Sequence, residues 1–108
     1  MVTRKLFDFL FNDPTEKDRS GFVYLLTDGS GSYKIGCAKD PEKRIAALNT
    51  GSSVYLKCLG TIDTENMYSF EKALHREFAE YRDKGEWFRF GSKQAPALTN
   101  LKKLFNPV

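Results

Sequence analysis

The chain has one histidine and two cysteines, Cys37 and Cys58, among its 108 residues. Neither cysteine sits at metal-ligand spacing from another candidate, so a tetrahedral zinc site is close to excluded. No apolar run approaches the length of a membrane span. No signal peptide is recognisable, which makes free, packed thiols the expectation, with a cytoplasmic or nucleoid-associated setting and no membrane partner. Repeats and low-complexity tracts are absent. Charge of one sign barely predominates: the net value of +3 permits a polyanionic partner without demanding one. With 41% apolar and 29% charged residues the chain has the composition of an ordinary globular domain. At this length it forms one domain with a single core.

What is present concentrates between Gly21 and Arg44. Phe22-Val23-Tyr24-Leu25-Leu26 has the composition of a buried strand. Asp28-Gly29-Ser30-Gly31-Ser32 is a hairpin loop signal, and Tyr33-Lys34-Ile35-Gly36-Cys37 returns as a second strand. Alternation puts Tyr33, Ile35 and Cys37 on one face and Lys34 on the other. Asp40 then caps a helix whose first residue is Pro41, with Glu42 near its positive end and Arg44 one turn from Leu48. Two tyrosines, a lysine and an arginine thus meet at one edge of a small sheet.

Upstream, Leu6, Phe7, Phe9, Leu10 and Phe11 fit one amphipathic helix, closed by Asp13-Pro14, in an N-terminal arm over residues 1–20. Downstream, Asn49-Thr50-Gly51-Ser52-Ser53 stops the helix, and a third strand fits Val54 to Ile62, with Leu56, Cys58 and Ile62 on its inner face. From Glu65 to about Arg82, Met67, Phe70, Leu74, Phe78 and Tyr81 form a core-facing helical stripe. Glu71, His75 and Arg82 lie on its flank. A half-buried carboxylate there, with an imidazole one turn on, suits a metal ion or a poised proton donor; the plainer reading is a surface i,i+4 pair. Gly85-Glu86-Trp87-Phe88-Arg89-Phe90 reads as a turn and a short edge strand. Residues 91–108 supply a last helix, Pro96 to Phe105, packing on the same domain.

Val-Tyr-Leu-Leu, Tyr-Lys-Ile-Gly, Asp-Pro-Glu-Lys-Arg, Asn-Thr-Gly-Ser, Glu-Lys-Ala-Leu-His and Gly-Glu-Trp-Phe, in this order, resemble the GIY-YIG nuclease superfamily. The closest branch is the T5orf172/Mug113-like one, found largely in phage and bacterial proteins, and the match spans residues 21–90. The resemblance implies an α+β fold with a small central sheet, mixed or antiparallel, of three strands flanked by helices. It also implies hydrolysis of phosphodiester bonds in DNA with one divalent ion, magnesium or manganese. Tyr24 matches the tyrosine that deprotonates or orients the attacking water. Arg44 matches the arginine that steadies the scissile phosphate, a task suited to a planar guanidinium. Glu71 matches the metal-binding glutamate, and His75 a histidine of this branch's helix motif.

Two positions depart from the pattern. Lys34 stands where the second tyrosine belongs, and Tyr33, one residue earlier, faces the opposite way; both are carried as catalytic candidates. The asparagine that many relatives carry after the metal-binding helix is missing, and Glu86 is a candidate replacement, with a solvated turn residue the plainer reading. Lys34, Lys39, Lys43, Arg44, Arg76 and Arg82 would contact phosphates of duplex or branched DNA without reading sequence. Cutting both strands with one site calls for a homodimer or two sequential nicks. The alternatives are a nucleic-acid-binding module of the same fold that cleaves weakly or not at all, and an accessory domain that meets a protein partner through the Phe-rich arm.

Overall fold

Along the first strand Tyr24 and Leu26 point to one side and Val23 and Leu25 to the other, and all four are buried. Such a strand must lie mid-sheet with both faces covered. The computed structural model, which describes residues 18–108, shows that arrangement. β1 (Gly21–Thr27) pairs antiparallel with β2 (Ser32–Ala38) on one side and with β3 (Lys57–Thr64) on the other. β4 (Arg82–Lys84) and β5 (Trp87–Arg89) extend the sheet beyond β2, giving five strands in the order β3-β1-β2-β5-β4, every pairing antiparallel.

α1 (Pro41–Asn49) covers one face, where Ile45 and Leu48 pack against Tyr24, Leu26 and Leu56. As expected, Asp40 caps it, its Oδ1 accepting the Lys43 N–H at 3.1 Å, with Pro41 in the first turn. α2 (Met67–Glu77) and α3 (Ala95–Lys103) cover the other face: Ala73, Leu74 and Leu101 pack on Val23, Leu25, Ile35, Phe88 and Phe90. No helix among the described residues is long and apolar enough to cross a membrane.

The α+β class holds, but the expected three-stranded sheet is corrected to five strands. Arg82, Asp83 and Lys84 are all exposed and show no apolar alternation, so nothing in their pattern marks a strand. It becomes one because Gly85, at φ 58°, turns the chain and lets it pair with β5. β5 is therefore an inner strand, not the edge expected. The third strand starts at Lys57 rather than Val54, and it holds a bulge: Leu25 faces Gly60 while Leu26 faces Cys58. The extra residue, Leu59, breaks the alternation, so Cys58 packs on the α1 side and Leu59 and Ile62 on the other. The long helical stripe is likewise divided. α2 ends at Glu77, and a 3₁₀ turn over Ala79–Tyr81 carries Tyr81 back onto the core. The expected amphipathic helix of the N-terminal arm lies outside the described residues.

Candidate active site

β5 pairs only with the first half of β2, from Ser32 to Lys34. Just past that point Ile35 is held by two other groups. Its N–H donates to the Glu86 carbonyl at 3.0 Å, and its carbonyl accepts from Nε2 of His75 at 2.9 Å. Among the described residues no strand pairs with Gly36–Ala38 on this side. The sheet thus has a notch at the end of β5, reached by side chains from both faces. Tyr24, Lys34 and Arg44 come from the α1 side, Glu71 and Cys37 from the α2 side, and Glu86 from the β4–β5 turn.

Tyr24 crosses β2 at Gly36, its partner in the register. A Cβ on Gly36 would stand 2.5 Å from the Tyr24 hydroxyl and 2.6 Å from Cζ, so only glycine lets the ring lie flat across the strand. The hydroxyl is delivered to the notch on a side chain 1% exposed. Burial raises its pKa; the neighbouring Arg44 guanidinium opposes this, and the carboxylates of Glu86 and Glu71 add to it, leaving the phenol above its ordinary value. Tyr24 is therefore a neutral hydroxyl at neutral pH, suited to orient a water more than to take its proton.

Glu71 sits on α2 against β2. Its Oε1 accepts from the Cys37 thiol at 3.5 Å, while Oε2 is buried and has no hydrogen-bond partner. Burial first, and then the repulsion of the neighbouring Glu86 carboxylate, push this carboxyl up to about 7, against the pull of Cys37 and Lys34. Burial, followed by the same Glu71 carboxylate, pushes the Cys37 thiol up to about 12, so it remains protonated and a donor. Glu86 forms an ion pair with Lys34 at 3.1 Å, and the Lys34 ammonium lies 5.7 Å from the centroid of the Trp87 ring. His75 Nε2 is 3.9 Å from Glu71 Oε2, but its hydrogen bond goes to the Ile35 carbonyl, an acceptor only, which fixes the proton on Nε2. Phe88 holds the imidazole edge-on at 5.1 Å.

Of the residues singled out in the sequence, Tyr24, Lys34, Arg44, Glu71, His75 and Glu86 share this notch. Tyr33 does not. It lies on the α2–α3 face, edge-on to Phe90 at 5.8 Å and beneath the Lys102 ammonium at 5.7 Å. Lys39 and Lys43 are exposed at the corner between β2 and α1, and Arg76 is exposed on α2. Arg82 is tied into the β4–β5 hairpin, its Nε donating to the Gly85 carbonyl at 2.9 Å. The sequence marks Cys37 only as a packed thiol. Alternation places it on the same face as Tyr33 and Ile35, but no local signal tells that α2 brings a carboxylate against it.

A family model described as the T5orf172 domain matches residues 21–102, from the first strand into the last helix. The chain belongs to the T5orf172 domain family. Two curated relatives come from Invertebrate iridescent virus 6. "Uncharacterized protein 460R" is 31% identical over 75 residues, 64% of this chain and 34% of its own length. "Putative KilA-N domain-containing protein 315L" is 26% identical over 83 residues, 70% of this chain and 36% of its own. The T5orf172 chain thus spans about a third of the length of the curated relatives it matches. No solved structure matches it significantly.

The donor set of the notch bears on the implied metal. Among the described residues no group of three His, Cys, Asp or Glu side chains could hold an ion alone. What the notch offers is one buried carboxylate oxygen with no hydrogen-bond partner, Oε2 of Glu71, on a group whose ionised form burial and the Glu86 carboxylate disfavour in the protein alone. That fits a hard cation that keeps most of its water shell and takes one or two carboxylate oxygens, as magnesium does, and does not fit a closed soft-metal site.

Proposed function

We propose that this T5orf172 chain is a GIY-YIG-type endonuclease that hydrolyses phosphodiester bonds in DNA with magnesium or manganese. The observation that carries the reading is the partnerless Oε2 of Glu71, buried in a notch where Tyr24, Arg44 and Lys34 also converge. Glu71 would hold the ion, with Glu86 the second carboxylate near it. Bound there, the ion supplies Lewis acidity and lowers the pKa of its water. Arg44, exposed on α1 and hydrogen-bonded to the Tyr24 hydroxyl, would clamp a phosphate with its guanidinium fork. Tyr24 orients the attacking water by a hydrogen bond. Lys34, in the place of the second tyrosine, offers a point charge to the phosphate once the phosphate displaces Glu86. His75 acts through the backbone, pinning the Ile35 carbonyl at the rim of the notch.

DNA as substrate is supported by the resemblance of the six motifs and by the basic residues Lys39, Lys43, Arg44, Arg76 and Arg82 on neighbouring elements. The test is nicking of supercoiled plasmid with magnesium or manganese, with and without chelator, in wild type and Glu71→Ala. Metal-dependent open circles from wild type alone are expected. A second reading, a DNA-binding module that does not cleave, is favoured by the Lys34–Glu86 pair, which already neutralises the lysine in place of the missing tyrosine. It predicts intact plasmid in every lane together with a gel shift abolished by charge reversal at Arg44.

A further inference from the structure

Glu71 presents its two oxygens unequally. Oε1 accepts from the Cys37 thiol at 3.5 Å, while Oε2 has no partner. Among the described residues the basic nitrogen paired with Oε2, Nε2 of His75, is 3.9 Å away and engaged by the Ile35 carbonyl at 2.9 Å. The two neighbours therefore act in the same sense: one occupies Oε1 and the other is withheld from Oε2. We propose that Cys37 is a positioning residue that makes Glu71 a one-oxygen ligand and thereby sets the preference of the notch for magnesium and manganese over calcium.

The chemistry follows from how these ions differ. Magnesium demands a near-regular octahedron, in which a carboxylate gives one oxygen per corner, whereas calcium accepts both oxygens of one carboxylate in a larger, looser shell. A donor fixed on Oε1 opposes the two-oxygen mode and leaves the one-oxygen mode intact. Cys37 can hold that place because β2 is anchored two residues before it, at Ile35, by hydrogen bonds on both backbone groups. Both its neighbours in the strand, Gly36 and Ala38, face the α1 side and cannot substitute.

The proposal rests on Glu71 being the ion's ligand, so its test measures binding directly, without DNA. Manganese binding is followed by electron paramagnetic resonance in wild type, Cys37→Ser, Cys37→Ala and Glu71→Gln, with magnesium and calcium as competitors and thermal melts to establish folding. Cys37→Ser, which keeps a donor, should match wild type. Cys37→Ala should bind manganese about tenfold more weakly, as loss of an outer-shell partner does, and should let calcium compete better relative to magnesium. Wild-type affinity and selectivity in a folded Cys37→Ala overturns the proposal, as does Cys37→Ser behaving like Cys37→Ala, which would make the effect one of packing. If Glu71→Gln binds manganese as wild type does, the metal-site reading itself falls and this inference with it. Loss in Glu71→Gln with no change in Cys37→Ala sinks only the inference.

Discussion

Glu71 is the residue at which the fold and the proposed chemistry conflict. Its carboxyl titrates at about 7 in the folded chain, against an ordinary value near 4.3 when unfolded. Between those values the native state holds a proton that the unfolded state has lost, so stability falls as pH rises and the full cost is reached above about 7. In the metal-free protein that cost is on the order of 3–4 kcal/mol. Glu71→Gln, neutral at every pH, should match wild type near pH 4 and exceed it by about 3 kcal/mol at pH 8, by urea unfolding in chelator. Adding manganese should stabilise wild type and leave the glutamine variant unchanged. Gly36 is the complementary case, a residue whose value lies in having no side chain. Gly36→Ala would set a methyl 2.5 Å from the Tyr24 hydroxyl. Tyr24 is too enclosed to move aside, so the variant should lose roughly 1–3 kcal/mol in urea unfolding, as overpacked cores do. Plasmid nicking should fall with it, since the displaced hydroxyl no longer reaches the notch. The tyrosine and the glycine are visible in the motif, but their contact is not: cross-strand register depends on the loop between the strands, which alternation alone does not count.

Among the elements, α2 depends most on a distant part of the chain. Its own N-cap residue, Asn66, makes no side-chain cap. Asp18, ahead of β1, does so instead, accepting the N–H groups of Tyr68 at 2.9 Å and Ser69 at 3.2 Å. Burial alone would raise the Asp18 pKa, but hydrogen bonds from the Ser69 side chain and from the N–H groups of Tyr68, Ser69 and Arg19 outweigh it and hold it below the usual value. Asp18→Ala should cost about 1 kcal/mol at pH 7, the worth of a helix cap. A depressed pKa gives stability that is present above the unfolded value near 3.9 and lost as pH falls through the folded one. The gap between variant and wild type in urea unfolding should accordingly narrow as pH falls below the unfolded value. Local chemistry announced the first hairpin and α1, because Asp28-Gly29-Ser30-Gly31 and Asp40-Pro41 act on their own neighbours. The cap of α2 is set about fifty residues away in sequence, beyond the reach of any local rule. The bulge in β3 and the strand Arg82–Lys84 were illegible for a related reason: both exist only because a partner strand is already in place.

At the scale of the molecule, the notch exists because a three-residue strand stops short beside a seven-residue one, leaving the end of β2 open between helices on opposite faces of the sheet. The motif order named Tyr24, Lys34, Arg44 and Glu71; it could not show that Tyr33 would pack away from them or that Glu86 would reach Lys34. The same geometry decides which surface charges matter to a DNA partner. Lys39 and Lys43 stand at the corner where β2 passes into α1, on the side from which Arg44 approaches the notch. Lys103 ends α3, whose following residues bridge to β3 through Thr61 and Asn106, at the opposite edge of the sheet from β5 and β4. A duplex seated on the notch should release counterions at the first corner and not at the second. Each lost phosphate contact lowers the slope of log K against log salt by about 0.9. Lys39→Ala with Lys43→Ala should flatten that slope by roughly 2 and weaken binding to different sequences alike, while Lys103→Ala leaves it unchanged. Fluorescence anisotropy of a labelled duplex, in chelator so that nothing is cut, measures both. Equal slopes for the double variant and wild type, or a loss confined to Lys103→Ala, would put the DNA on a different face and separate the binding surface from Glu71.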